Sequence, residues 1–424
     1  MKRGFFKKSL SLLAAGSLLS LGLIGCGNQT SSSGQGTGNS DIIKIGAILP
    51  LSGGAAPLGE MSKRAMELAV EEINAKGGIK SLNGAKLQLV FADSQGKPQV
   101  GVSEAERLLT QEKVTLLTGS YQSGVTLPAS EVAERYKKVW FASVPSDDSI
   151  TSRGFKYVFR LADTSAMRVD SQVKFLEDLK KRFSSEIKTA ALVYENTSYG
   201  QSVAKAWKEK LPKAGYQIVL DEAYDKGASD LTPVVNKVKS ASPDVVLLTS
   251  YVADATLLVK GFHQQKVTPK AFIGTSGGYA DPEFIKNAGE AALNIFDVAA
   301  WEVDVNRPFS KETDKKFFEK HKVHMNGEAV KEYAGIYVIA DALERAKSTD
   351  SEKLREALAS TNITEGPTQM YTNKIHFDKT GTLPDPGLVM VQFQKVDGKV
   401  ERVTVWPKED ARSGSKIVFP YQAQ

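Results

Sequence analysis

The chain has 424 residues, with 55 Lys and Arg against 49 Asp and Glu and a formal charge of +6. A single cysteine excludes an internal disulfide framework and any zinc site built on cysteines. No run of Lys and Arg interleaved with aromatics is present, so a nucleic-acid partner has no support.

Lys2, Arg3, Lys7 and Lys8 form a basic patch ahead of a small, apolar run from Ser9 to Ile24. The run is shorter than the ~20 residues of a membrane span but suits the core of a signal peptide. It ends in Leu23-Ile24-Gly25-Cys26, which resembles the lipobox of bacterial lipoproteins. The resemblance implies cleavage before Cys26 and acylation of its thiol. Residues 1–25 are therefore expected to be a leader. The rest is expected to be lipid-anchored at the outer face of the cytoplasmic membrane, on the cell surface or the periplasmic side. The leader carries four of the 55 basic residues, which leaves 51 against 49 acidic ones and lowers the charge from +6 to +2. About 400 residues remain, enough for two substantial domains stabilised by burial alone. Residues 26–41 read as the lipidated cysteine and a Gly/Ser-rich tether with a reach of about 20 Å.

After the tether the pattern changes at once. Residues 42–49 form a near-continuous apolar run, of the kind buried on both faces of a parallel sheet. Met61, Ala65, Leu68, Ala69 and Ile73 then fall at helical spacing over 60–75, and Gly77-Gly78 ends that helix. Further strands are predicted at 87–92, 114–118, 139–142, 189–194, 217–220, 245–249, 271–273 and 294–299. Helices are predicted at 99–111, 123–136, 167–181, 201–211, 231–240, 253–263, 281–287, 312–322, 328–347 and 351–358. The tail from Gln369 to Phe419 is richer in strand and turn signals than in helix. Strand-then-helix repetition means parallel sheets covered by helices. Around ten strands exceed one comfortable sheet, so two doubly wound α/β lobes are expected.

Ligands of such sheets collect beyond the carboxyl ends of the strands. The segments there are 50–59, 119–124, 143–148, 195–200, 250–254 and 274–280, rich in Ser, Thr, Gly and Tyr and poor in charge. This composition suits short side chains and backbone groups bonding a small polar ligand.

From Ile42 onward the chain resembles the type I periplasmic-binding family, in its branched-chain amino-acid-type branch of ABC-transporter substrate-binding proteins. The resemblance rests on Gly46-Ala47-Ile48-Leu49-Pro50-Leu51-Ser52-Gly53 and on Ile73-Asn74-Ala75-Lys76-Gly77-Gly78-Ile79. Gly119-Ser120-Tyr121-Gln122-Ser123, Pro128-Ala129-Ser130, Arg153-Gly154-Phe155 and Ser198-Tyr199-Gly200 extend it over nearly the whole mature chain. It implies two lobes joined by three chain crossings, placed here near residues 161, 299 and 372. Lobe 1 would be 42–161 plus 300–371 and lobe 2 would be 162–299 plus 372–424. The ligand would sit in the cleft, which closes by hinge motion.

The resemblance implies roles one residue at a time. Ser123 matches the serine that receives the ligand carboxylate, at a helix N-terminus that favours an anion. Val144 and Ser146 match a loop offering one carbonyl to a ligand amine and one hydroxyl to its carboxylate. Tyr199 and Tyr251 match two tyrosines that close over the ligand from the second lobe. Where amino-acid binders of the family carry a glutamate for the ligand ammonium, this chain has Ser276 in Gly274-Thr275-Ser276-Gly277-Gly278. Asp254 or Asp281 could supply the charge instead; if neither does, the ligand is expected to lack a free amino group.

The same loop fits Gly-x-Ser-x-Gly, the nucleophile turn of α/β-hydrolases, with Asp304 and then His321, His324 or His376 in that fold's order. Against it, Tyr279-Ala280-Asp281-Pro282 delays the helix that such a turn requires. A ligand sensor without transport is the other alternative. The reading is a non-enzymatic, monomeric binding lipoprotein with no cofactor and no metal. Its partners would be a small-molecule ligand, an ABC permease, and the membrane through the lipid alone.

Overall fold

The computed structural model describes residues 41–422. The expected leader, Cys26 and the tether up to residue 40 lie outside them. Among the described residues no helix is long and apolar enough to cross a membrane.

Two sheets carry the fold. The first contains β1 (Ile42–Leu49), β2 (Lys86–Asp93), β3 (Leu116–Gly119), β4 (Trp140–Ala142) and β5 (Val158–Arg160), all parallel, in the order β2-β1-β3-β4-β5. The second contains β6 (Thr189–Glu195), β7 (Gln217–Tyr224), β8 (Val245–Thr249), β9 (Ala271–Gly274) and β10 (Phe296–Ala299). Its parallel part runs β7-β6-β8-β9-β10, which repeats the first order. Each sheet therefore reverses direction beside its first strand, between β1 and β3 and between β6 and β8, and leaves a crevice there. A small pair, β11 (Asn362–Ile363) with β12 (Ile375–His376), lies apart. The antiparallel hairpin β13 (Val389–Val396) and β14 (Lys399–Trp406) joins the edge of β10.

Helices cover both faces of each sheet, as buried parallel strands require. On the first lie α1 (Ala56–Ala75), α2 (Pro98–Thr110), α3 (Ser123–Arg135) and the short α4 (Ser149–Ser152). On the second lie α5 (Ser165–Phe183), α6 (Ser198–Lys210), α7 (Thr232–Ala241), α8 (Val252–Gln264) and α9 (Pro282–Ala288). The chain then returns after Ala299, and α10 (Ser310–His321), α11 (Gly327–Ala346) and α12 (Ser351–Ala359) pack with α1 over the first sheet.

The third crossing differs from the sequence expectation. Ile375, Phe377 and Leu383 pack into the core of the first sheet, so the chain leaves that lobe closer to Leu388 than to residue 372. Apolar side chains after a helical stretch do not say which of two cores takes them. Strand β5 was also missed: it has only three residues, and Arg160 among them disguises a fully buried edge.

Two glycines bring helix starts close to strand ends. A β-carbon on Gly59 of α1 would overlap the Pro50 carbonyl, and one on Gly200 of α6 would overlap the Glu195 carbonyl. Only glycine allows this approach.

A buried charge network joins the lobes at the first crossing. Asp163, between β5 and α5, pairs with Arg168 of α5 and lies 3.2 Å from Lys331 of α11. Lys331 Nζ is 2.5 Å from Glu328 Oε2, and Arg168 Nη2 is 3.6 Å from Glu328 Oε1. Burial pushes the Asp163 carboxyl up, but the charges of Arg168 and Lys331 overcome this and hold it well below the ordinary range. Glu332, the next residue on α11, is fully buried, and burial pushes it from 4.5 up to about 8 against the pull of Ser143 and Lys331. A raised carboxyl holds its proton in the folded state, so the stability it contributes is present at low pH and is lost as pH rises through about 8. Asp163 has the opposite sign, and its contribution is lost only on acidification. Urea unfolding from pH 5 to 9 should show stability falling across that window. Glu332→Gln should flatten the fall; a variant with the wild-type slope would refute the assignment.

Candidate functional site

The two sheet crevices face one another across a narrow cavity of about 20 Å³. Five helix starts converge on it. Ser123 opens α3, Tyr199 is the second residue of α6, Tyr251 caps α8, Glu328 is the second residue of α11, and Arg168 lies in the first turn of α5. Each helix start carries the positive end of its dipole, so the cavity favours an anion, although the first amides of α5 are already taken by Ser146, Asp148 and Thr164.

The lining is held by bonds from both lobes. Ser123 Oγ accepts from the Asp147 amide at 3.2 Å, which fixes the loop after β4. In that loop Val144 and Ser146 face the cavity, and the Ser146 carbonyl accepts from Ser165 N at 2.8 Å and Ser165 Oγ at 3.1 Å. Asp147 Oδ1 takes the Ser149 amide within its own turn, and Asp148 Oδ1 takes the Ala166 amide at the start of α5, so this acidic pair holds backbone. Three contacts close the lobes together: Asp148 N donates to Ser202 Oγ at 3.1 Å, Asn326 Nδ2 donates to Ala280 O at 3.3 Å, and the backbone of Gly124 lies beside Ser198.

Tyr199 donates its hydroxyl to the Thr275 carbonyl at 2.5 Å, and its ring is tilted on Tyr251 at 5.9 Å. Arg168 Nη1 donates to the same carbonyl at 2.7 Å. Burial pushes the hydroxyls of Tyr121, Tyr199 and Tyr251 well above the ordinary tyrosine range, so all three remain donors.

The structure thus brings Ser123, Val144, Ser146, Tyr199 and Tyr251 around one cavity, and Ser276 stays off it. Its backbone has φ +57° and ψ −138°, and its hydroxyl donates to the Val298 carbonyl of β10. Its neighbour Gly277 lines the cavity instead. Neither alternative acid supplies a charge here. Asp254 accepts the Gly227 amide beside a separate 150 Å³ cavity, and Asp281 caps α9 beside an open groove of about 1000 Å³. The carboxylate in the cavity is Glu328, opposite Arg168. Sequence reasoning missed both, because a charge in a helical first turn reads as an exposed dipole partner until a second lobe covers it. Tyr121 was quoted only as part of a motif.

The hydrolase alternative is not assembled. Asp304 accepts from Thr404, His324 pairs with Asp314 at 2.7 Å, His321 packs on Phe317, and His376 lies in β12. The strained Ser276 backbone does suit a nucleophile turn, and a 3₁₀ turn (Gly277–Ala280) follows it directly, but its hydroxyl has no histidine partner. Among the described residues no group of three His, Cys, Asp or Glu side chains is placed to hold a metal.

Comparison with known proteins agrees with this fold. The model of the periplasmic binding protein family matches residues 42–397. Leu/Ile/Val-binding protein homolog 7 of Brucella abortus is 35% identical over 389 residues, 89% of this chain and 94% of the relative. A leucine-binding protein from Thermotoga maritima superposes with a TM-score of 0.76 at 22% identity, over 87% of this chain and 99% of its own. A solute-binding protein of an ABC transporter from R. palustris, in complex with 4-hydroxybenzoate, gives a TM-score of 0.76 at 19% identity, over 88% and 98%. The chain belongs to the periplasmic binding protein family, with the type I fold.

Proposed function

We propose that the chain is the extracytoplasmic substrate-binding component of an ABC importer, which captures a small polar solute between its lobes. The observation that carries this reading is the convergence of five helix starts, drawn from both lobes, on one narrow cavity. The named relatives support it: one is a Leu/Ile/Val-binding homolog and another binds a hydroxybenzoate.

The ligand is an amino acid, an amide or another small carboxylate. A carboxylate or amide oxygen meets Ser123 and the start of α3, where the dipole and free amides stabilise it. Val144 and Ser146 flank it, and Tyr199 and Tyr251 cover it from the second lobe. A free ammonium group is not required. Glu328 is already balanced by Lys331 and Arg168, so no carboxylate in the cavity is left without a cation. The closed form then docks on a permease, and a lipid on Cys26 keeps the receptor near that permease.

Thermal unfolding against amino acids, their deaminated acids, amides, urea and aromatic acids tests the site. A ligand at 100 times its Kd adds about 2.7 kcal/mol. Carboxylates or amides should raise the melting temperature, and Ser123→Ala should weaken that response at least tenfold. Its own cost should be about 1 kcal/mol, from the lost bond to the Asp147 amide. Responses confined to cations would refute the anion site, and responses confined to amino acids would refute the statement about ammonium. For the anchor, Cys26→Ser should abolish incorporation of labelled fatty acid and release the protein from the membrane fraction; retained label would refute it.

A further inference from the structure

Tyr121 lies in the turn between β3 and α3 at φ +78°, a left-handed conformation that a bulky residue seldom adopts. Observed strain of this kind concentrates at ligand sites. The ring packs on Leu58 and Val144 and against Tyr251, and it lines the cavity between the lobes. Its hydroxyl is buried and has no hydrogen-bond partner among the described residues. Three other tyrosines nearby are committed: Tyr199 to the Thr275 carbonyl, and Tyr224 and Tyr279 to Ser250. A buried donor left unpaired costs free energy, and the cavity wall is where a ligand can repay it.

We propose that Tyr121 Oη donates a hydrogen bond to the ligand and selects for a solute that carries a second polar oxygen besides its carboxylate. The inference rests on the carboxylate reading of the cleft and deepens it. The side chain is rooted two residues before Ser123 and shares the cavity lining with Glu328. Since Ser123 and the α3 amides take the carboxylate in that reading, the Tyr121 hydroxyl is left for a second oxygen. Hydroxy acids, threonine-like amino acids, amide-bearing acids and hydroxybenzoates satisfy it. A purely aliphatic branched chain leaves it unpaired, so this chain discriminates against the class named for its Leu/Ile/Val-binding relatives.

The test uses the intact protein and two matched pairs of probes, threonine with valine and 4-hydroxybenzoate with benzoate, titrated by calorimetry. In at least one pair the wild type should bind the hydroxylated member tenfold or more tightly. Tyr121→Phe should erase that preference by weakening the polar member. Without ligand, Tyr121→Phe should melt at the same temperature as the wild type or above it, because no protein partner is lost. A wild-type preference for valine or benzoate, a preference that survives the substitution, or a clear fall in the unliganded melting temperature would each overturn the proposal. Failure of all four probes to bind the wild type would count against the carboxylate reading. The unliganded melting temperatures would then decide the role of Tyr121 separately.

Discussion

The alternating charges of Asp163, Arg168, Glu328 and Lys331 hold the two halves of this molecule in register. All four are buried, and they come from the first crossing, from α5 of one lobe and from α11 of the other. Four charges withdrawn from water are tolerable only because each faces an opposite one; deleting one member of such a pair typically costs about 3–5 kcal/mol. Arg168 also fixes the Thr275 carbonyl, and through it the turn that carries Ser276 and Gly277. Asp163 sits on the crossing itself, so a rotation separating the sheets can keep its pair with Arg168. The 3.6 Å approach of Arg168 to Glu328 spans the cleft and is the contact such a rotation would lengthen.

The second constraint is topological. Because both sheets use the same strand order, each opens a crevice beside its first strand, and facing the sheets superposes the two crevices. Gly59 and Gly200 let the helices after β1 and β6 begin against the strand ends. The helix starts therefore crowd the cavity. Their dipoles make it electropositive even though the side-chain charges around it cancel.

Much of this was legible in the sequence, for identifiable reasons. Apolar runs such as 42–49 and helical spacing such as Met61 to Ile73 are local signals, and they gave the layers. Ser123, Val144, Ser146, Tyr199 and Tyr251 were reached because they follow strand ends and sit in motifs resembling a known family. Arg168 and Glu328 carry no local signal, since their burial depends on a partner lobe more than a hundred residues away. Ser276 misled for a related reason: its motif is local, but the Val298 carbonyl that captures its hydroxyl belongs to the next strand. The hairpin β13–β14 was seen only as a strand-rich tail, because nothing local assigns it to the edge of β10.

The position of the acid alters what the cleft selects. A glutamate after β9 would stand alone on one lobe and leave a charge for an ammonium group to neutralise. Here Ser276 occupies that loop, and Glu328 stands on α11 with Lys331 at 2.5 Å. Its charge serves closure of the lobes before it serves a ligand. Beside the helix starts, two buried oxygens of the cavity lining have no hydrogen-bond partner among the described residues, the Tyr121 hydroxyl and Glu328 Oε2, the latter 2.5 Å from Lys331 Nζ. In the proposed reading the helix starts and the Tyr121 hydroxyl meet oxygens of the ligand, while Lys331 and Arg168 neutralise Glu328.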